Sequence, residues 1–313
     1  MRILNTTISP GSSHLLKWYI ANLYTSTPIE IPVVVERAKA DGPCVLITAG
    51  IHGDEVCGIE IVRSLIANKI NKPLRGTVIC VPIVNILGFL KLSREFPDGR
   101  DLNRVFPGSS KGSLASRYAY DFTQKILPVA DICIDFHTGG AMRFNAPQIR
   151  ISKQDKLSAS LAKAFNAPFT VYSSTLSKSY RAHCAKLGMP SLLFEGGKSQ
   201  DIDDEVVKDG VDGAVRVLEY LHMLSPEIKV TPSPENSIVI DKTTWVRANV
   251  SGLFHPKVAC GQWVKARQLL GRVSCPYGGY KKSITAAQSG YIINVNHAPV
   301  VYQGDAVFHI SKE

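Results

Sequence analysis

No Cys-x-x-Cys pair occurs anywhere in the 313 residues. Zinc held by cysteine thiolates is therefore not expected. No segment approaches roughly 18 uninterrupted apolar residues, so no membrane-spanning helix is expected either. The opening "MRILNTTISPGSSHLLKWYIANLY" lacks the apolar core and small-residue cleavage site of a secretory signal. The formal charge is +10, yet the Lys and Arg residues are scattered, with only short clusters such as "YKKS". No helix-turn-helix, zinc-finger or RNA-binding-sheet motif accompanies them, so nucleic-acid binding is set aside. Attraction of a small anionic substrate is the simpler use of such a surface. The C-terminal region holds one further absence: no Met-Lys pair occurs in the chain.

Seven cysteines are present, an odd number, and several sit in strand-like apolar runs such as "PCVLITAG", "TVICVPIV" and "DICIDF". They read as small buried hydrophobes in a reducing compartment, and a cytoplasmic location is expected. Residues 30–50 read as a hairpin, with "EIPVVVERA" turning at "KADGP" into the buried strand "CVLITAG". "EVCGIEIVRSLIANKI" carries Val56, Ile59, Val62 and Ile66 on a helical period, and Asp54 is placed to cap its start. Strands and helices then alternate through "GTVICVPIVN", "YAYDFTQKILPVA", "DICIDFHTGG", "SKSYRAHCAKLGMP" and "SLLFEGG". That alternation predicts an α/β fold, a mixed but mainly parallel sheet flanked by helices, over residues 1–230. "SPEIKVTPSPENS" reads as a linker, and beyond it helical periodicity stops.

The region from 238 to 313 repeats itself. "ANVSGLF" at 248–254 is echoed by "AAQSGYI" at 286–292, and "VKARQLLGRV" at 264–273 by "VYQGDAVFHI" at 301–310. The pattern implies a small all-β domain of two similar halves. It resembles the biotinyl/lipoyl-type barrel-sandwich domain. Such domains carry their cofactor on a lysine that usually follows methionine, a pair missing here, and Arg267 stands where a turn glycine is usual. A structural or interfacial role is expected of it.

Four polar islands sit at the ends of apolar strands, where open α/β sheets place their ligands. His52-x-x-Glu55 lies at a strand-to-helix junction, where an i, i+3 spacing lets both side chains converge on one metal ion. His137 ends another strand 85 residues later and completes a His₂Glu set, with Asp135 available to orient a ligand. Arg100, Asp101, Asn103 and Arg104 crowd "GRDLNRVFPG", and arginine beside an amide suits capture of a carboxylate. Glu195 ends the strand "SLLFEGG" and, beside a metal-bound water, would make a general base. Each island also has an ordinary reading: a helix-capping turn, a hydrogen-bonded histidine, a solvated loop, or an ion pair between Glu195 and Lys198.

Taken in order, "HGDE", "DGRDLNRVFPG", "DFHTGG" and "EGG" resemble the succinylglutamate desuccinylase/aspartoacylase group, relatives of the zinc carboxypeptidases. The likeness runs from about residue 30 to 200, and its specific part is "GRDLNRVFPG". The resemblance implies one Zn²⁺ per chain held by His52, Glu55 and His137, with Glu195 as general base. It implies that Asn103 and Arg104 bind the substrate carboxylate. Arg94 matches the arginine that polarises the scissile carbonyl, with Arg100 as its competitor, and Tyr180 is the candidate for a closing tyrosine. The expected activity is hydrolysis of the amide of a small N-acyl amino acid. A metallocarboxypeptidase acting on peptides and a non-catalytic zinc-containing binder are the rivals, and a homo-oligomer remains open. Arg143 and Arg150 are candidates to meet an acidic substituent, or are surface arginines.

Overall fold

Val45, Ile47 and Ala49 pack to one side of a sheet, and Cys44 and Leu46 to the other. A strand covered on both faces needs a nearly continuous apolar run, and "CVLITA", buried throughout and apolar but for Thr48, supplies one. The computed structural model describes residues 1–233 and 235–312. Pro234, inside the expected linker, and Glu313, at the end of the expected β domain, lie outside the described residues.

A small ribbon, β1 (Arg2–Ile3) and β2 (Thr6–Thr7), precedes three long strands, β3 (Ser12–Asn22), β4 (Pro28–Arg37) and β5 (Ala40–Ala49). Helix α1 (Val56–Ala67) crosses to β6 (Arg75–Val81). Helix α2 (Ile86–Leu90), a 3₁₀ turn at Leu102–Arg104 and helix α3 (Leu114–Lys125) lead to β7 (Ile132–Gly139). Then come β8 (Arg143–Ile151), α4 (Lys156–Phe165), β9 (Phe169–Tyr172), α5 (Tyr180–Lys186), β10 (Ser191–Lys198) and α6 (Asp204–Tyr220). The rest is strand: β11 (Ile238–Ile240), β12 (Lys242–Arg247), β13 (Gly252–Pro256), β14 (Trp263–Val264) and β15 (Leu269–Ser274). β16 (Lys281–Thr285), β17 (Gly290–Asn296), β18 (Val300–Val301) and β19 (Ala306–Lys312) complete it.

β6, β5, β7 and β10 are parallel neighbours at the sheet centre. β4 and β3 extend one side antiparallel, and β8 the other. Helices α1, α4 and α6 cover one face around Phe136, Phe165 and Phe194, whose rings pack together. Burying each such ring contributes roughly 1.5–3 kcal/mol. Helices α3 and α5 cover the opposite face with Trp18, Tyr118 and Phe122. The mixed α/β architecture is as expected.

Residues 30–50 are not a hairpin. β6 lies between β4 and β5, pairing Val34 with Cys80 on one side and Leu46 with Ile79 on the other. The physical reason is burial. β5 and β6 carry unbroken buried runs, residues 44–49 and 76–81, and need central places, whereas β4 alternates and suits a position nearer the edge.

After α6 the sequence repeat appears as symmetric pairing. β13 pairs with β15 and with β18, while β17 pairs with β19 and with β14. Each half thus lends a short strand to the other. Arg267 and Gly304, at corresponding turns, both have positive φ, +67° and +94°. These strands enclose a core of their own around Phe254, Leu270, Ile292 and Phe308. They are also continuous with the large sheet, since β17 pairs with β8, and β11 with β9. No helix among the described residues is long and apolar enough to cross a membrane.

Candidate active site

Side chains alternate along a strand, and that period sorts the polar residues of β7 and β10. Ile132, Ile134 and Phe136 face the α1 side, as do Leu192 and Phe194. Asp135, His137 and Glu195 therefore share the other face, and Glu195 stands opposite His137 in the parallel register. There they meet the turn after β5, which carries His52 and Glu55. Gly53 is required in that turn, because a Cβ would lie 1.9 Å from the Gly88 backbone carbon.

Glu55 joins the two histidines. Its Oε1 lies 2.7 Å from His52 Nδ1 and its Oε2 2.8 Å from His137 Nδ1. All three side chains are buried, and one ligand atom from each falls within 4.8 Å of the others. The far ring nitrogens are tied elsewhere: His137 Nε2 to Asp135 Oδ2 at 2.7 Å, and His52 Nε2 to Asp101 Oδ1 at 3.2 Å. Thr48 Oγ1 in turn donates to Asp135 Oδ1 at 2.7 Å. Carboxylates behind the imidazoles leave both Nδ1 atoms facing Glu55, which is how a metal-binding histidine is usually oriented. Burial opposes ionisation of Glu55, but the two imidazoles outweigh it and hold its carboxyl well below the usual range. Burial likewise opposes charge on His137, while Asp135 and Glu55 raise its pKa far above normal. Carboxylates that favour protons on these imidazoles also favour a divalent cation between them, so the donor set fits a metal ion.

Asp54 does not cap α1. Glu55 occupies the cap position without a capping hydrogen bond, and Asp54 Oδ1 is buried without a partner. The turn is spent on presenting Glu55 to the histidines, which leaves the helix start without a side-chain cap.

A cavity of about 360 Å³ opens over this cluster, lined among others by Arg94, Asn103, Arg104, Arg143, Arg150, Arg181 and Glu195. Arg94 is held by Asp101, with Nη2 2.9 Å from Oδ2, and its Nη1 lies 3.4 Å from Glu55 Oε1. Asn103 and Arg104 sit on the 3₁₀ turn, and Asn103 Oδ1 accepts a hydrogen bond from Tyr180 N at 2.8 Å. The structure does not bring Arg100 into the cavity. It is exposed and pairs with Asp98 at 3.2 Å, which directs its charge away from the lining residues. Tyr180 is also placed elsewhere: its ring is buried against Phe106 and Phe122, and its hydroxyl meets Cys133 Sγ at 3.3 Å. A side chain fixed in the core cannot close over a substrate. Lys198 pairs with Asp201, not with Glu195, whose cationic neighbour is Arg150 at 4.0 Å.

Four further lining residues carry no signal strong enough to be singled out in the sequence. Arg181 lies on α5 beside Arg150; burial and that neighbour pull its pKa down to about 10. Asn145 donates to Glu195 Oε2 at 2.6 Å. Trp245 and Asn294 come from strands beyond residue 237. Asp101 was visible inside "GRDLNRVFPG", but its grip on His52 and Arg94 was not.

The class that this fold and cavity define is an amide-cleaving deacylase, and comparison with known proteins places the chain within it. The model of the succinylglutamate desuccinylase/aspartoacylase catalytic domain matches residues 41–221, and the chain belongs to that family. The N-alpha-acetyl-L-2,4-diaminobutyric acid deacetylase of Halomonas elongata is 30% identical over 257 residues, covering 78% of this chain and 74% of that protein. A solved succinylglutamate desuccinylase/aspartoacylase from Rhodobacter sphaeroides is 25% identical with a TM-score of 0.82, over 96% of this chain and 95% of that one. The product-bound ectoine utilization protein EutE (DoeB) of Ruegeria pomeroyi shares the fold, with 24% identity and a TM-score of 0.84 over 98% and 97% of the two chains.

Proposed function

We propose that the chain is a zinc-dependent deacylase that hydrolyses the amide of a small N-acyl amino acid to a carboxylate and an amine. The observation that carries this reading is the buried His52–Glu55–His137 set with Glu195 on the adjacent strand, under a cavity sized for a small molecule. The Halomonas elongata relative, named for an N-acetyl amino acid, supports the substrate class. One zinc ion held by His52, Glu55 and His137 supplies Lewis acidity and a water of lowered pKa.

The remaining work falls to side chains. Glu195 takes a proton from the attacking water and passes it to the leaving nitrogen. Arg94 faces the carbonyl oxygen as charge develops there, held in aim by Asp101. Asn103 and Arg104 bind the α-carboxylate. Arg143, Arg150 and Arg181 concentrate positive charge on the cavity wall. Arg150 Nε and Arg181 Nη1 are buried without hydrogen-bond partners among the described residues. Such a wall favours an acidic group on the acyl or amino-acid side over a second amino group. Residues 1–230 form the catalytic unit in this reading, and the barrel-sandwich-like strands of 238–313 close one wall through Trp245 and Asn294. All seven cysteines are free, which supports a reducing, cytoplasmic setting.

A panel of acidic, neutral and basic N-acyl amino acids, with C-terminal peptides alongside, tests the reading on the zinc-loaded protein. Turnover of acidic N-acyl amino acids is expected. Preference for peptides, or zinc bound with no turnover across the panel, would overturn it.

A further inference from the structure

Glu195 has two oxygens with different surroundings. Oε1 faces Arg150 Nε at 4.0 Å and has no hydrogen-bond partner among the described residues. Oε2 accepts a 2.6 Å hydrogen bond from Asn145 Nδ2. A carboxylate can only accept, so Asn145 must present its nitrogen and not its oxygen to Glu195. An asparagine amide does not choose that orientation by itself, since turning it over exchanges the two atoms at nearly the same shape. Glu195 favours that orientation from one side and Asn294 of β17 holds it from the other: Asn294 Nδ2 donates to Asn145 Oδ1 at 2.7 Å, while its own Oδ1 has no partner among the described residues. The two asparagines are direct cross-strand partners, and both are buried.

We propose that Asn294, acting through Asn145, is a positioning residue for Glu195, so that the C-terminal strands are a working part of the active site. This rests on the reading of Glu195 as the general base. The order of the chain of amides is set by the carboxylate, which can only accept. Asn294 donates, Asn145 accepts on its oxygen and donates from its nitrogen, and Glu195 Oε2 accepts. Oε1 is left as the oxygen that can take a proton. Gln148 of β8, directly opposite Glu195 in the register, donates its own amide nitrogen to Ala146 O and Ile293 O instead. Burial of the pair makes the orientation durable, because a flipped Asn145 would set two oxygens against each other without water to separate them.

Removing the Asn294 amide leaves Asn145 held by Glu195 alone, so that Asn145 and with it Glu195 can shift, and the effect belongs on the chemical step. In zinc-loaded Asn294→Leu, kcat is expected to fall about tenfold, a fraction of the roughly 10²–10⁴ that a general base contributes. KM should stay within about twofold and zinc content should be unchanged. In a Glu195→Gln background the same substitution should cost nothing more, because there is no base left to position. Asn294→Ala repeats the measurement should the leucine disturb the fold, with the melting midpoint read for both. An unchanged kcat in a folded variant overturns the proposal, as does a rate loss that persists in the Glu195→Gln background. If wild type turns over and Glu195→Gln does not impair it, the general-base reading fails instead. A crystal structure of Asn294→Leu gives a readout that needs no turnover: the Asn145–Glu195 contact should be lost, and its survival at hydrogen-bond length refutes the relay.

Discussion

Glu195 and the three side chains proposed to hold zinc are separable by experiment because they fail differently. Glu195→Gln keeps the shape of the site but cannot take a proton, so kcat should fall by roughly 10²–10⁴ with zinc still bound. His52→Ala or His137→Ala should lose the zinc itself, as metal analysis of the purified protein would show; unchanged content refutes this ligand set. Arg181 tests substrate class. Its charge is partly desolvated and has no carboxylate partner among the described residues, so an acidic ligand should gain more from it than a neutral one. A hydrogen bond to a charged group is worth about 1.5–3 kcal/mol. Arg181→Leu should therefore raise KM for acidic N-acyl amino acids by roughly 10- to 100-fold and change little for neutral ones. An equal change for both would assign Arg181 a purely structural role. At this scale the metal set was legible, because His52 and Glu55 are close in sequence and His137 ends an apolar strand. The sequence left Arg94 and Arg100 as competitors; Arg94 lines the cavity, whereas Arg100 is exposed and pairs with Asp98.

Helix α1 carries Glu55 at its start and lies on β7, which carries His137, so the packing of one element on the other sets the spacing of the ligands. Gly58 makes that close approach possible: a Cβ there would lie 2.7 Å from Phe136 O. Gly58→Ala should cost roughly 1–3 kcal/mol from overpacking, more than the gain in helix propensity returns. It should also weaken zinc affinity, read by competition with a chelator. Gly213→Ala, which would drive a Cβ into the Phe165 ring at 2.1 Å, should lower the melting midpoint without changing zinc affinity in the folded protein. Equal effects on affinity would separate α1 packing from ligand spacing. The join between β12 and β19 has its own signature. His309 is stacked on Trp245 at 4.2 Å between ring centroids, and burial with the Arg150 charge pushes its pKa from 6.5 down to about 3. Between those values the unfolded chain binds a proton that the folded chain refuses, so stability is full above 6.5 and falls as pH drops. The loss at about pH 5.5 should be about 1.4 kcal/mol. His309→Leu should unfold with a correspondingly flatter dependence between about pH 7.5 and 5.5, and an unchanged slope would remove His309 from the account.

Across the whole molecule the net charge of +10 and the arginine-lined cavity act in the same direction. Anionic substrates should be drawn in, and the attraction should be screened by salt. Raising ionic strength from about 0.01 to 0.1 M shortens the Debye length from about 30 to about 10 Å. kcat/KM for an acidic N-acyl amino acid should fall severalfold over that range, while the value for a neutral one changes less. A flat response for both would mean that the basic surface plays no part in capture. The molecule also joins what the sequence divides. A Pro- and Ser-rich linker marked a boundary, yet β17 lies beside β8 and carries Asn294 to the cavity.

Local order was enough to determine the α/β alternation, the repeat after residue 248 and the His52–Glu55 pair, to which the family resemblance added His137. Each depends on a period of two or 3.6 residues, or on neighbours a few positions apart, and such patterns are written along the chain. Strand order, the exclusion of Arg100 and Tyr180, the grip of Asp101 on His52, and the path from Asn294 to Glu195 were decided only in three dimensions. They depend on which apolar strand takes the centre of the sheet and on contacts between residues far apart in the chain. Hydrophobic burial selects those pairings over the whole fold at once, and no single stretch of sequence states them.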